Sequence, residues 1–186
     1  AQKNTGRPYT GKEVLMRDIP VGAVQTSLGN RSYYLDIGLA PQFPFGYGLT
    51  YGDFHYDGLT IVDETLAPHQ ELQLRFRLKN KGRRAATETI QVYVRDRLAS
   101  LTRPVKQLVH FQRVALQGGK SKMVSVHIPF AKLSFFKGDG QRIVEPGDFD
   151  VWVGPDAQRG LHATFSVGGA TKPIELRPGN PSVNWQ

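Results

Sequence analysis

The sequence predicts an all-β fold, an antiparallel sandwich of two sheets. Apolar and polar residues alternate with period two along segment after segment between residues 59 and 170. Clusters of Gly, Pro, Asn and Asp punctuate those segments, and no sustained helical period runs anywhere in the chain. Residues 1–58 show neither alternation nor regular punctuation, so the sandwich is expected to be preceded by an irregular strap.

The first strand is read in LTIVDETL (59–66). ELQLRFRLKN (71–80) then places Leu72, Leu74, Phe76 and Leu78 on one face and Glu71, Gln73, Arg75 and Arg77 on the other, the mark of a half-buried strand. After the turn-rich NKGRRAATE, TIQVYVRD (89–96) sets Ile90, Val92 and Val94 against Gln91, Tyr93 and Arg95, and the two segments are expected to pair antiparallel. QLVHFQRVAL (107–116), KMVSVHIPF (122–130), GDFDVWVGP (147–155) and HATFSVGG (162–169) continue the series, separated by QGGK, KGDGQ, EPGD and GPDAQRG. About seven short strands at this spacing are the pattern of an immunoglobulin or fibronectin type III-like antiparallel β-sandwich.

Residues 1–58 carry turn residues and aromatics, with EVLMRDI (13–19) the one weak regular segment. A structureless stretch of this length reads as a strap or as the end of another domain. Its last part, PQFPFGYGLTYGDF (41–54), holds five rings, Phe43, Phe45, Tyr47, Tyr51 and Phe54, among glycines and prolines that forbid an ordinary central strand. It is expected to be a shaped loop that buries rings. Residues 171–186 form a C-terminal extension.

Hydrophobic residues make up 39% and charged residues 22%, a globular balance with material for a core. With no cysteine there is no disulfide framework, thiolate chemistry or cysteine-based zinc site. No apolar run reaches the length of a membrane span, and the start AQKNTGRPYT lacks an apolar signal core, which suggests a mature, processed or excised fragment. The net charge of +8 raises the question of a nucleic-acid partner. Its densest group, Lys79, Lys81, Arg83 and Arg84, straddles a turn and reads as a solvated hairpin end, so no nucleic-acid or membrane partner is expected.

The five histidines are scattered without ligand spacing, so no metal site and no cofactor is expected. Among carboxylate pairs that might serve glycoside hydrolysis, Asp63 with Glu64, Glu145 with Asp148, and Asp148 with Asp150, structural roles win: Asp148 sits in a turn and Asp150 alternates outward. Trp152 lies opposite Val151 and Val153, as a solvent-side or interface ring, with a sugar-stacking platform as the rarer reading.

NTGRP, YYLDI, FPFGYGLTYGDF, LKNKGRRAATETIQVYVRD, ASLTRPVKQLVHFQRVAL and VEPGDFDVWVGPD follow one another in an order that resembles the C-terminal part of glycoside hydrolase family 3 β-glucosidases of the bacterial periplasmic kind, over roughly residues 3–168. The resemblance implies a barrel and an α/β sandwich domain upstream, which would carry the nucleophile and the acid/base of a retaining exo-glucosidase, and a terminal fibronectin type III-like domain here. No catalytic residue carries over to this chain. It also implies that Phe43, Phe45, Tyr47, Tyr51 and Phe54 fill the joint between the α/β domain and the sandwich, as domain-interface residues. The implied partners are those upstream domains and, through them, a β-glucoside; a homodimer stays open, and the implied compartment is periplasmic or extracellular. Phe136 departs from the tryptophan common at its position, and the extension 171–186 runs past the usual end of the sandwich. An autonomous carbohydrate-binding or wall-anchoring sandwich is the alternative.

Overall fold

The computed structural model describes residues 42–101 and 103–174. The motifs NTGRP and YYLDI, the segment 13–19 and the extension beyond Ile174 lie outside the described residues. The chain divides into two compact units, Ala1–Phe45 and Gly46–Gln186, and the architecture below belongs to the second.

That unit is built from β1 (Phe54–Ile61), β2 (Thr65–Leu66), β3 (Leu72–Asn80), β4 (Ala86–Asp96), β5 (Gln107–Leu116), β6 (Ser121–Ile128), β7 (Phe135–Phe136), β8 (Arg142–Val144), β9 (Gly147–Gly154), β10 (Leu161–Val167) and β11 (Lys172–Pro173), with one 3-10 turn at Phe130–Leu133. One sheet has the order β1-β3-β6 and the other β2-β10-β9-β4-β5. Their facing sides share one core: Leu72, Leu74, Phe76 and Leu78 of β3 and Val124, Val126 and Ile128 of β6 pack with Ile90, Val92 and Val94 of β4, Phe149, Val151 and Val153 of β9, and Phe165 and Val167 of β10. The period-two pattern of each strand is what aims these residues inward. The predicted sandwich is therefore present, and its strands fall near where the alternation placed them, except that the segment read as one strand over 59–66 is two, the end of β1, which begins at Phe54, and β2 in the other sheet, and that β4 begins at Ala86.

Four local expectations are corrected. β3 and β4 are not paired; β3 hydrogen-bonds to β1 and β6, and β4 to β5 and β9, so the chain crosses from one sheet to the other between them. The buried side chain of Asn80 shapes that crossing. Its amide donates to the carbonyls of Arg84 (2.8 Å) and Leu116 (3.2 Å) and its oxygen accepts the N–H of Gly82 (2.9 Å). The basic residues Lys79, Lys81, Arg83 and Arg84 are exposed there, but at an inter-sheet crossing and not at a hairpin end.

Secondly, the strands are not all antiparallel, because β2 joins β10 in a short parallel pairing, Thr65 with Ser166 and Leu66 with Val167. A third, small sheet of order β11-β8-β7 also closes one end, built from strands of two or three residues that carry too little period to read. Thirdly, Gln91 and Tyr93 are buried although they face away from the core. β4 sits inside its sheet, and the segment from Gly46 covers its outer side. Finally, Asp150 does project outward, yet it is buried beneath Arg97 and His162.

Candidate functional site: the groove beside the end of β4

The pairing of β4 with β9 stops at Gln91 opposite Gly154, so residues 86–90 of β4 run on with β5 as their one strand partner. Gly46–Thr50 passes alongside this free edge. Gln91 ties the two together, its amide nitrogen donating to the carbonyls of Gly46 (2.8 Å) and Pro155 (2.6 Å), while its oxygen accepts the hydroxyl of Tyr93. Gly46 has φ +80°, and a Cβ there would collide with the Gln91 oxygen and the Tyr93 hydroxyl. Only glycine supplies both the left-handed turn and the close approach. Burial beneath this segment pushes the Tyr93 hydroxyl up to about 12.

Between Gly46–Thr50 and the strand edge lies a groove of about 400 Å³, lined by Tyr47, Thr50, Tyr56, Thr87, Glu88, Thr89, Gln91 and Arg159 among others. Glu88 is the charged group at its floor. Its side chain points between the sheets, where the Tyr56 hydroxyl donates to one carboxylate oxygen at 2.9 Å, and Tyr56 in turn stacks on Phe76. Burial raises the Glu88 carboxyl above the usual range, the Tyr56 hydroxyl and Arg159 pulling the other way. Tyr56 is raised as well, by burial first and by the Glu88 charge second.

Arg159 forms the rim. Its guanidinium donates to Asp156 (2.6 Å) and lies 5.7 Å from the centroid of the Tyr47 ring. Asp156 accepts the N–H groups of Gln158 (2.9 Å) and Arg159 (2.8 Å), which fixes the turn after β9. Burial alone would raise the Asp156 carboxyl; those N–H groups and the guanidinium outweigh it and hold it below the usual carboxylate range.

A second polar cluster crosses the outer face of the same sheet. Arg97 forks onto Asp150 (3.1 and 2.7 Å) and His162 meets the same carboxylate at 2.8 Å, so Asp150 sits below its ordinary value chiefly through the Arg97 hydrogen bond. His162 stacks on Trp152 with centroids 5.1 Å apart, and the Lys106 ammonium lies 4.1 Å over the Trp152 ring while donating to the Ala157 carbonyl (2.7 Å). A ring stacked and capped in this way is a packing element; it offers no open platform to a sugar. Beyond it, the loop between β4 and β5 is braced by Arg103, whose buried guanidinium pairs with the buried Asp96 at 3.1 Å and also reaches Gln107 and Leu133.

Of the carboxylates considered for catalysis, Asp148 accepts the Ser166 hydroxyl (2.7 Å), Glu145 the Ser100 N–H (2.9 Å) and Asp63 the Gln70 amide, while Glu64 takes part through its backbone carbonyl, which accepts the Ser166 N–H (2.8 Å). Among the described residues no group of three His, Asp or Glu side chains is arranged to hold a metal ion, and no helix is long and apolar enough to cross a membrane. Of the five rings, Phe43 and Phe45 belong to the first unit, Tyr47 and Tyr51 to the strap of the second, and Phe54 opens β1. Phe45 is 69% and Tyr51 100% exposed, whereas Phe54 is half-buried against the core. Glu88 was not legible as a site residue. It occupies an inward position of an alternating strand, and only the end of β9 turns that position into a groove floor.

A family model described as "Fibronectin type III-like domain" matches residues 88–157. The sandwich belongs to that domain family. The fibronectin type III-like domain and its flanks are 32% identical over 164 residues to a protein named periplasmic β-glucosidase from Salmonella typhimurium, covering 88% of this chain and 20% of that one. They are 35% identical over 127 residues to a protein named β-xylosidase from Formosa agariphila, covering 68% and 18%. A crystal structure of a β-glucosidase from Listeria innocua in complex with glucose superposes with a TM-score of 0.70 at 31% identity, over 90% of this chain and 22% of that one. The chain thus spans about a fifth of the length of these relatives. The resemblance to family 3 β-glucosidases that the motif order carries is shown by these matches.

Proposed function

We propose that the chain is the C-terminal segment of a family 3 β-glucosidase, which hydrolyses terminal β-D-glucosyl residues with retention through catalytic residues outside this chain. Its own role is structural: it docks the fibronectin type III-like domain onto the upstream barrel and α/β domain. The observation that carries this reading is the similarity of 88% of the chain to one fifth of a periplasmic β-glucosidase. Asp63, Glu145, Asp148 and Asp150, one or both members of each candidate carboxylate pair, are spent on structural hydrogen bonds, which supports placing the chemistry elsewhere.

The docking surface is the ring-bearing strap, Phe43, Phe45, Tyr47, Tyr51 and Phe54. Exposed aromatic rings gathered in one short segment are what an interface core uses, and they explain a strap that a solitary domain would have no reason to keep. The compartment that goes with this reading is the periplasm or the cell exterior, on the strength of the periplasmic relative.

A chromogenic β-glucoside tests the division of labour. The chain by itself turns over none of it, and the chain joined to its upstream polypeptide does; turnover by the chain alone would overturn the proposal. Because a β-xylosidase shares this segment too, a matched β-xyloside assayed beside it decides which sugar the whole enzyme takes.

A further inference from the structure

We propose that the basic end of the sandwich, where the β3–β4 crossing meets the β5–β6 turn, adsorbs the protein to a bilayer surface rich in anionic phospholipid headgroups. This goes beyond the docking role: the residues that carry it lie in the unit Gly46–Gln186, and none is a ring of the strap. It also reverses the expectation of no membrane partner, which took one short basic run for an isolated turn.

The run Lys79, Lys81, Arg83 and Arg84 does not stand alone. Lys120 and Lys122, far along the chain, reach the same end because the two connections are bonded to each other. The N–H of Gly119 donates to the Gly82 carbonyl (3.1 Å) and that of Asn80 to the Lys120 carbonyl (2.9 Å). The buried Asn80 amide bridges them from within, reaching the carbonyls of Arg84 and Leu116. A Cβ on Gly118 would collide with the Arg83 carbonyl, so the turn lies flush against the crossing. All six basic side chains are exposed, and none forms an ion pair among the described residues. By contrast Arg77, Arg97, Arg103 and Arg159 are each matched by an aspartate. Neither connection contains an acidic residue, and Asp53, whose carbonyl accepts the Lys81 N–H (2.6 Å), is the acid beside them. Cations fixed together with so little counter-charge repel one another, and an anionic surface that neutralises several at once relieves that repulsion.

The shape of this end selects the anion. None of the six lines the groove beside β4 or the hollow that Ala85, Thr87 and Gln117 form nearby, so the charges spread over the end and do not converge on a single phosphate or carboxylate. The crossing (81–85) and the turn (117–120) carry no aromatic residue on which a nucleic-acid base could stack. Two turns side by side, each with a basic flank, meet a flat charged surface at several points together. A Lys or Arg close to an anionic bilayer strengthens binding about fivefold.

The test is co-sedimentation of the 186-residue chain, alone and joined to its upstream polypeptide, with vesicles of phosphatidylcholine and with vesicles of equal parts phosphatidylcholine and phosphatidylglycerol. Both forms are expected to sediment with the second vesicles and not the first, and to be released at about 1 M salt, where charges are screened within about 3 Å. Lys79→Gln/Lys81→Gln and Lys120→Gln/Lys122→Gln, one pair from each connection, are each expected to weaken binding about thirtyfold. Lys132→Gln/Lys137→Gln, at exposed positions beyond the far end of β6, is expected to leave it unchanged. Equal adsorption to both vesicles, an equal loss in the Lys132 and Lys137 variant, adsorption of the chain alone but not of the joined form, or preference for a DNA duplex over the anionic vesicles would each overturn the proposal.

Discussion

Glu88 and the Asp96–Arg103 pair are both carboxylates taken out of water, and they are predicted to respond oppositely to change. Asp96 and Arg103 satisfy each other inside the protein, so removing one partner strands a buried charge. Arg103→Met is expected to cost about 3–5 kcal/mol in denaturant unfolding, and the double variant Asp96→Leu/Arg103→Met clearly less than the sum of its parts. Glu88 has no compensating cation of that kind, and its carboxyl is raised. The folded state then holds the proton over a window above the ordinary glutamate value in which the unfolded chain has lost it. Stability from this group is full below the unfolded pKa and falls as pH rises through the folded one. Glu88→Gln should therefore raise Tm relative to the parent around pH 8 and give no gain below about pH 4. Asp150 and Asp156 carry the reverse sign, being held low, so their contribution is lost as pH falls. At Gly46 the φ of +80° and the contact with Gln91 act together, and Gly46→Ala should lower Tm and shift the amide resonances of Gln91 and Tyr93.

The strands were legible in the sequence because a sandwich writes its two faces as alternation. Leu72 to Leu78 on β3 and Ile90 to Val94 on β4 read directly as core, and all are buried. What alternation does not carry is which strand pairs with which. NKG after β3 has the composition of a hairpin turn, and only the hydrogen bonds of Asn80 to Arg84, Gly82 and Leu116 send the chain to the opposite sheet. Alternation also says nothing about what lies over the outer face, which is why Gln91, Tyr93 and Asp150, polar positions by pattern, are covered. The groove was illegible for the same reason. It exists because β9 ends at Gly154, opposite the middle of β4. The core itself should behave as the pattern implies: Phe76→Ala, at a position of no exposure between the sheets, is expected to cost about 3–5 kcal/mol in chemical denaturation.

At the scale of the whole molecule, the strap explains why a stretch of rings, glycines and prolines stands before an ordinary sandwich. A strap with Tyr51 fully exposed and Phe45 largely so leaves apolar area that an upstream domain would bury. In isolation the chain should bind an extrinsic hydrophobic dye, and Phe45→Ser with Tyr51→Ser should reduce that binding while leaving the Tm of the sandwich within a few degrees. The most direct test is calorimetric titration of this chain into the separately produced upstream polypeptide of the same enzyme. The account predicts a one-to-one complex with a negative heat-capacity change, the sign of buried apolar surface, which Phe45→Ser/Tyr51→Ser weakens, and β-glucosidase activity that depends on forming it. No association, or association unaffected by those ring substitutions, would contradict it.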